Sequence, residues 1–205
     1  MANVRDDVLR QGAVYTPVYM AAQWFDQQVT PRPHHRHLVV IRDLRDAAVS
    51  WYFSMKYSHG VINDAVAESR RTLDDLSMEE GLLFVIRERL RGMADIQRSW
   101  LHKPECRKLI IRYEDLVADE VGQFNQIFDF AGFDSDIVVR RVAIEAESFQ
   151  ARTGRARGVE SVREHHRKGV AGDWQNHFTD RVKDAFKSMY GQTLIETGYE
   201  SDLNW

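Results

Sequence analysis

The sequence predicts an α/β fold with a short parallel sheet, and three observations carry that prediction. Two short apolar runs, Leu38 to Ile41 and Leu109 to Ile111, are bounded by polar residues, as buried strands are. Segments with apolar residues at helical spacing follow each run, and such segments outnumber the strands. No internal repeat or low-complexity tract divides the chain, so residues 1–205 read as one domain.

The elements follow in order. Residues 30–36 (TPRPHHR) form a loop, because each proline pushes its predecessor out of helical space. Leu38 to Ile41 is the first strand. Leu44, Ala47, Ala48, Trp51 and Met55 then mark a helix, with Gly60 as its stop. Ser77 and Glu80 match a capping box and open a second helix. Its apolar stripe is Leu83, Ile86, Leu90, Met93 and Ile96, and it ends near Leu101, before Pro104. After the second strand, Phe124, Ile127, Phe128 and Ala131 mark a helix closed by Gly132, and Ile137 to Ala146 is another. Residues 150–169 are basic and lack apolar periodicity, so they read as a long loop. The last helix, from Thr179 to Gly191, carries Val182, Ala185, Phe186 and Met189.

Composition narrows the class. With 43% hydrophobic and 29% charged residues the chain is that of a soluble globular domain rather than a disordered one. A net charge of -3 argues against nucleic-acid binding by bulk charge. The single cysteine, Cys106, excludes an internal disulfide framework and suits a reducing compartment. No run approaches the roughly 20 apolar residues of a membrane span, and the charged N-terminus lacks the apolar stretch of a secretory signal. The expectation is a cytoplasmic protein without a membrane partner.

Chemistry concentrates at three places. Arg42 ends the first strand and Ser50 lies on the helix after it, where open α/β sheets bind ligands. A guanidinium fork and a hydroxyl suit phosphate oxygens, although Arg42 could equally pair with Asp46. The second place is RYED, Arg112 to Asp115, at the end of the other strand. Tyr113 could meet a base or be a tyrosine satisfied in the core. The third is RKGVAGDWQNHFT, Arg167 to Thr179, where two cations and a glycine can converge on one anion while Trp174 and Phe178 anchor the segment.

Taken together, HLVVIRDLRDAAVSWY, IIRYEDL and RKGVAGDWQNHFT resemble the sulfotransferases that use 3′-phosphoadenosine 5′-phosphosulfate (PAPS), from about His37 to the C-terminus. SDLNW at the end is similar to the closing segment of bacterial members. The resemblance implies a P-loop NTPase-like three-layer fold and a cofactor cycle of PAPS to adenosine 3′,5′-bisphosphate (PAP). It also implies that Arg42 and Ser50 bind the 3′-phosphate, that Tyr113 contacts the adenine, and that Phe149 packs near it. Arg167, Lys168 and Gly169 would clamp the 3′-phosphate from the opposite side. Glu147 stands where cytosolic members often carry threonine.

The departures are specific. The family's phosphosulfate loop, a PKSGTT-like segment on its first strand, has no counterpart, and the sequence contains no Gly-Lys pair. The expected fold therefore lacks that strand and loop. Upstream of Arg42 the histidines are His34, His35 and His37, in a segment unlike the one carrying the family's base; a solvated loop is favoured there over a metal site. His59 either faces an acceptor pocket, which residues 52–65 and the Ser77 helix would build, or serves as a helix-end histidine. The catalytic base is not assigned. The first reading is a sulfotransferase moving a sulfuryl group from PAPS to a hydroxyl or amine of a small-molecule acceptor. The alternatives are a non-catalytic bisphosphate-binding remnant and a nucleic-acid binder using residues 150–169. The family's lysine-threonine-valine-glutamate dimer signature is not reproduced around Gln175 to Asp184, which leaves the oligomeric state open.

Overall fold

The structure, a computed structural model, describes residues 9–205 except 11, 17, 31 and 105. Pro17, Pro31 and the charged opening segment up to residue 8 lie outside the described residues. The chain runs α1 (Ala22–Gln28), β1 (His37–Ile41), α2 (Leu44–Phe53), a π turn (Ser54–Ser58), α3 (Asp64–Asp74), α4 (Met78–Glu88), α5 (Arg91–His102) and β2 (Lys108–Arg112). It continues through α6 (Tyr113–Ala118), α7 (Glu120–Ala131), α8 (Ile137–Ala146), α9 (Phe149–Thr153), a 3₁₀ turn (Asp173–Asn176) and α10 (Asp180–Glu196).

β1 and β2 pair in parallel, from His37 opposite Lys108 to Ile41 opposite Arg112. The expected short parallel sheet flanked by helices is therefore present, with four helices in the crossover. Its burial differs from expectation. Ile41 and Ile111 are buried, but Leu38 is 45% and Val40 50% exposed. Leu38 and Val40 point to one face of β1 and His37, Val39 and Ile41 to the other, and among the described residues only the second face is covered.

The main core is helical. α2 contributes Leu44, Ala47, Ala48, Val49, Tyr52 and Phe53; α4 contributes Leu82, Leu83, Val85 and Ile86; α10 contributes Val182, Phe186, Tyr190 and Leu194. Helices α2 and α4 approach closely at Gly81, where an added Cβ would lie 2.5 Å from the Tyr52 ring. The Tyr190 hydroxyl donates to the Ile86 carbonyl at 3.0 Å, so its polar end is satisfied inside the core.

Several elements correct the sequence reading. The stripe from Leu83 to Ile96 serves two helices rather than one. The N–H groups of Arg89 and Leu90 both donate to the Val85 carbonyl, which breaks the ladder there while Leu90 stays fully buried. Periodicity could not show this, because the apolar spacing runs unbroken through the kink. Ser77 does cap α4, accepting from the Glu80 N–H at 3.3 Å. The Glu80 carboxylate, however, pairs with Arg181 at the start of α10 instead of closing the box. The basic stretch that reads as loop begins with regular structure, since Phe149–Thr153 is a turn of helix capped by Ser148. Helices α1, α3 and α6 have no counterpart in the sequence reading, and α10 runs past Gly191 to Glu196. In α8, which has the expected bounds, only Ile144 is buried; Ile137, Val138, Val139 and Val142 face outward.

Phe186 is fully buried and in ring contact with Phe178, Tyr190 and Trp205. Phe186→Ala should therefore cost about 3–5 kcal/mol of stability, read as a lower urea midpoint at unchanged slope.

Candidate functional site

The carboxyl ends of both strands open onto a cleft of about 220 Å³. All seven residues singled out in the sequence line it: Arg42, Ser50, Tyr113, Phe149, Arg167, Lys168 and Gly169. Four more that sequence reasoning missed join them, namely Ser54, His165, His166 and Val170.

Each wall has a local cause. Asp43 caps α2 by accepting the Arg45 N–H at 2.8 Å, so the helix starts one residue after the cap and carries Ser50 along the cleft. The π turn begins at Ser54, four residues later, and keeps its side chain on the same wall. Tyr113 opens α6 directly after β2. The Arg42 guanidinium lies 4.5 Å over its ring, and among the described residues the buried Arg42 Nε has no hydrogen-bond partner. The Arg42–Asp46 pair allowed by the sequence is not what forms. Buried Asp46 accepts instead the N–H groups of Gly172 at 2.6 Å and Trp174 at 2.9 Å. Burial pushes its carboxyl above the usual range, against those two bonds and the charge of Arg42.

The opposite wall is the basic segment after α9, and arginines organise it from within. Arg155 donates to the carbonyls of Val159, His166 and Arg167 and pairs with Glu164 at 2.8 Å. Arg157 donates to the Gly169 carbonyl at 3.0 Å and pairs with Glu120 at 3.2 Å. Gly169 is the one residue type that fits here. Its φ is +67°, and an added Cβ would sit 2.6 Å from the Phe149 ring.

Asp173 balances the cations. Its carboxylate, almost fully buried, accepts from Lys168 at 2.5 Å and from Asn176 at 3.0 Å, and pairs with Arg167, whose guanidinium also lies 4.3 Å over Phe53. Burial works against its ionisation, but the bonds from Lys168, Arg167 and Asn176 outweigh that and hold the carboxyl well below the usual range. The signal for it was present in the sequence: two adjacent cations beside an apolar anchor need a nearby acid.

The histidines named in the sequence lie elsewhere. His59 follows the π turn, with Nδ1 2.7 Å from the Gly60 carbonyl and its own carbonyl accepting from Arg70. His37 begins β1 against Phe25 and Trp100, and burial, then His35 and Lys103, lowers its pKa. No group of three potential ligands among the described residues is placed to hold a metal ion.

A model of the sulfotransferase domain matches residues 27–198. The chain belongs to the sulfotransferase domain family. Among the relatives, mouse sulfotransferase 2A2 is 26% identical over 77% of this chain and 55% of its own length. The guinea pig 3-alpha-hydroxysteroid sulfotransferase is 29% identical over 80% and 56%. Flavonol 3-sulfotransferase of Flaveria bidentis is 24% identical over 92% and 64%. The chain thus spans a little over half to under two thirds of the length of these relatives. The crystal structure of mouse sulfotransferase SULT7A1 complexed with PAP superposes with a TM-score of 0.55 at 22% identity, covering 79% of this chain and 61% of that one. That likeness fixes the sulfotransferase fold.

Asp173 makes the cleft's stability depend on pH. A carboxyl held low in the folded state stabilises above its unfolded pKa, about 3.9, and this contribution fades as pH falls through the folded value. Asp173→Asn should lower stability by about 1.5–3 kcal/mol at pH 7. Thermal melts should show the gap to wild type shrinking as pH drops below about 4.

Proposed function

We propose that the cleft binds PAPS and its product PAP, and that the protein transfers the sulfuryl group of PAPS to a hydroxyl or amine of a small-molecule acceptor. The observation that supports this most is the convergence of all seven residues on one cleft. Arg42, Arg167 and Lys168 supply its cations, Ser50 and Ser54 its hydroxyls, and Tyr113 and Phe149 its rings, with the Arg42 guanidinium 4.5 Å over the Tyr113 ring.

A 3′-phosphate fits the cationic groups on two counts. It would accept from the unpartnered Arg42 Nε, and its near-double charge would share Arg167 and Lys168 with Asp173 through charge-assisted bonds. An adenine would pack against the Phe149 ring, whose close approach to the backbone Gly169 permits, with Tyr113 lining the same cleft. PAPS supplies the activated sulfuryl group, and the acceptor loses a proton as its new bond to sulfur forms. The residues named here bind and orient the nucleotide, which is how positioned charge contributes to such transfers. An acceptor would approach from the π turn and the segment after it, where Tyr57, Val61 and Ile62 are exposed. Both the cytoplasmic location and the absence of nucleic-acid partners belong to this reading. In its support, Arg155, Arg157 and Arg167 of the basic tract bond to acceptors within the chain.

Two measurements test it. Isothermal titration should show Lys168→Ala losing about 1.5–3 kcal/mol of PAP affinity while AMP binding barely changes; equal losses for both ligands would remove the 3′-phosphate assignment. Tyr113→Ala should weaken PAP several-fold more than inorganic sulfate, because sulfate loses only the ring beneath Arg42 while PAP also loses its adenine contact; equal losses for the two would remove the adenine assignment. A transfer assay with PAPS and a phenolic acceptor decides the enzymatic part, since PAP binding without turnover would favour the non-catalytic reading.

A further inference from the structure

The backbone ladder between the strands ends at the pair Ile41 and Arg112. The two residues that follow, Arg42 and Tyr113, face each other across the cleft end at 4.5 Å, and the ladder does not reach them. Glu114 does. Its Oε1 accepts the Asp43 N–H at 3.0 Å, one residue past Arg42, and its Oε2 accepts the Tyr199 hydroxyl at 2.6 Å. Glu114 is not itself part of the cleft lining.

Tyr199 is a fixed anchor. Arg112 lies 5.0 Å over its ring and donates to the carbonyls of Thr197 and Gly198 at 3.2 and 2.9 Å. Burial, then the bond to Glu114, pushes the Tyr199 hydroxyl far above the usual phenol range, so it stays a donor at any working pH. Glu200, the next residue, reaches the same place from the other side through Arg45, which is paired with the Asp43 carboxylate at 2.7 Å.

We propose that Glu114 is a positioning residue of the nucleotide site: it extends the register of the sheet two residues past the last ladder pair, across the Arg42–Tyr113 step, and thereby sets the Arg42–Tyr113 stack, with Tyr199 as its anchor. This rests on the nucleotide reading above. A carboxylate suits the task because it accepts from two donors in opposite directions at once. Alanine would leave both donors without this partner and free the two strand ends to drift. A stacked guanidinium is sensitive to such drift, since these contacts decay within about an ångström. Glutamine would still accept from Asp43 through its oxygen and donate to the Tyr199 oxygen through its amide.

The experiment has one arm without ligand and one with it. In ligand-free protein, NMR should show the Asp43 amide exchanging about tenfold faster in Glu114→Ala than in wild type. The ring-current shift of the Arg42 side chain should collapse in that variant and survive in Glu114→Gln. In titrations with PAP, Glu114→Ala should bind about tenfold more weakly, Glu114→Gln within about twofold of wild type, and Tyr199→Phe in between. The losses should be non-additive with Arg42→Ala and additive with Lys168→Ala. A purely structural softening would add to both. An unchanged Arg42 ring-current shift in Glu114→Ala, or additivity with Arg42→Ala, overturns the proposal. Absence of PAP binding by the wild-type protein overturns the nucleotide reading instead and leaves the ligand-free arm to decide the role of Glu114. Should Glu114→Ala lose its cooperative melt, Tyr199→Phe supplies the same comparison in both arms.

Discussion

The site depends on one buried carboxylate. Asp46 sits in the first turn of α2 and accepts two backbone N–H groups from the Gly172–Trp174 turn, more than a hundred residues later in the chain. Those bonds dock the C-terminal cation segment against the helix that carries Ser50, and so decide that the cleft has two walls. The cost of burying the carboxyl is visible in its raised pKa. The two directed amide donors offset that cost in part.

Around that tie the charges are layered. Arg45 lies over the rings of both Trp174 and Trp205, which meet edge-to-face, and is paired with Asp43 and Glu200. Burial opposes its charge, and those two acids more than restore it. Asp173 plays the converse part for Arg167 and Lys168. Acids and bases alternate from the helix start to the cleft, and the net result leaves cationic groups facing the cavity while their counter-charges sit behind them. Arg167 and Lys168 are thus held in position by a buried carboxylate, an arrangement that would lower the ordering cost of binding an anion.

Much of this was legible in the sequence, for physical reasons that can be named. Short β-branched runs ending in Arg42 and next to Tyr113 reveal strand ends, and strand ends are where α/β sheets place ligands. Gly169 beside two cations reveals a tight backbone in the cationic wall. What escaped was whatever depends on distant partners. Asp46 reads as a local match for Arg42, because nothing in its neighbourhood announces Gly172. The kink at Leu90 escaped because a core-facing residue preserves the apolar spacing through it. Ser54, His165 and His166 escaped because their role as cleft lining follows from where the π turn and the basic segment end up, which no spacing rule encodes. The exposure of Leu38 and Val40 escaped for the same reason: a strand's composition states that it can be buried, while its neighbours decide whether it is.

The position of Trp174 has an optical consequence. Its N–H is held by Asp46, the residue before it holds Lys168, and its indole covers a guanidinium on one side. A displacement of the cation segment would move that indole relative to the Arg45 guanidinium. Indole emission responds strongly to nearby charge, so such a displacement would be readable in the fluorescence of Trp174.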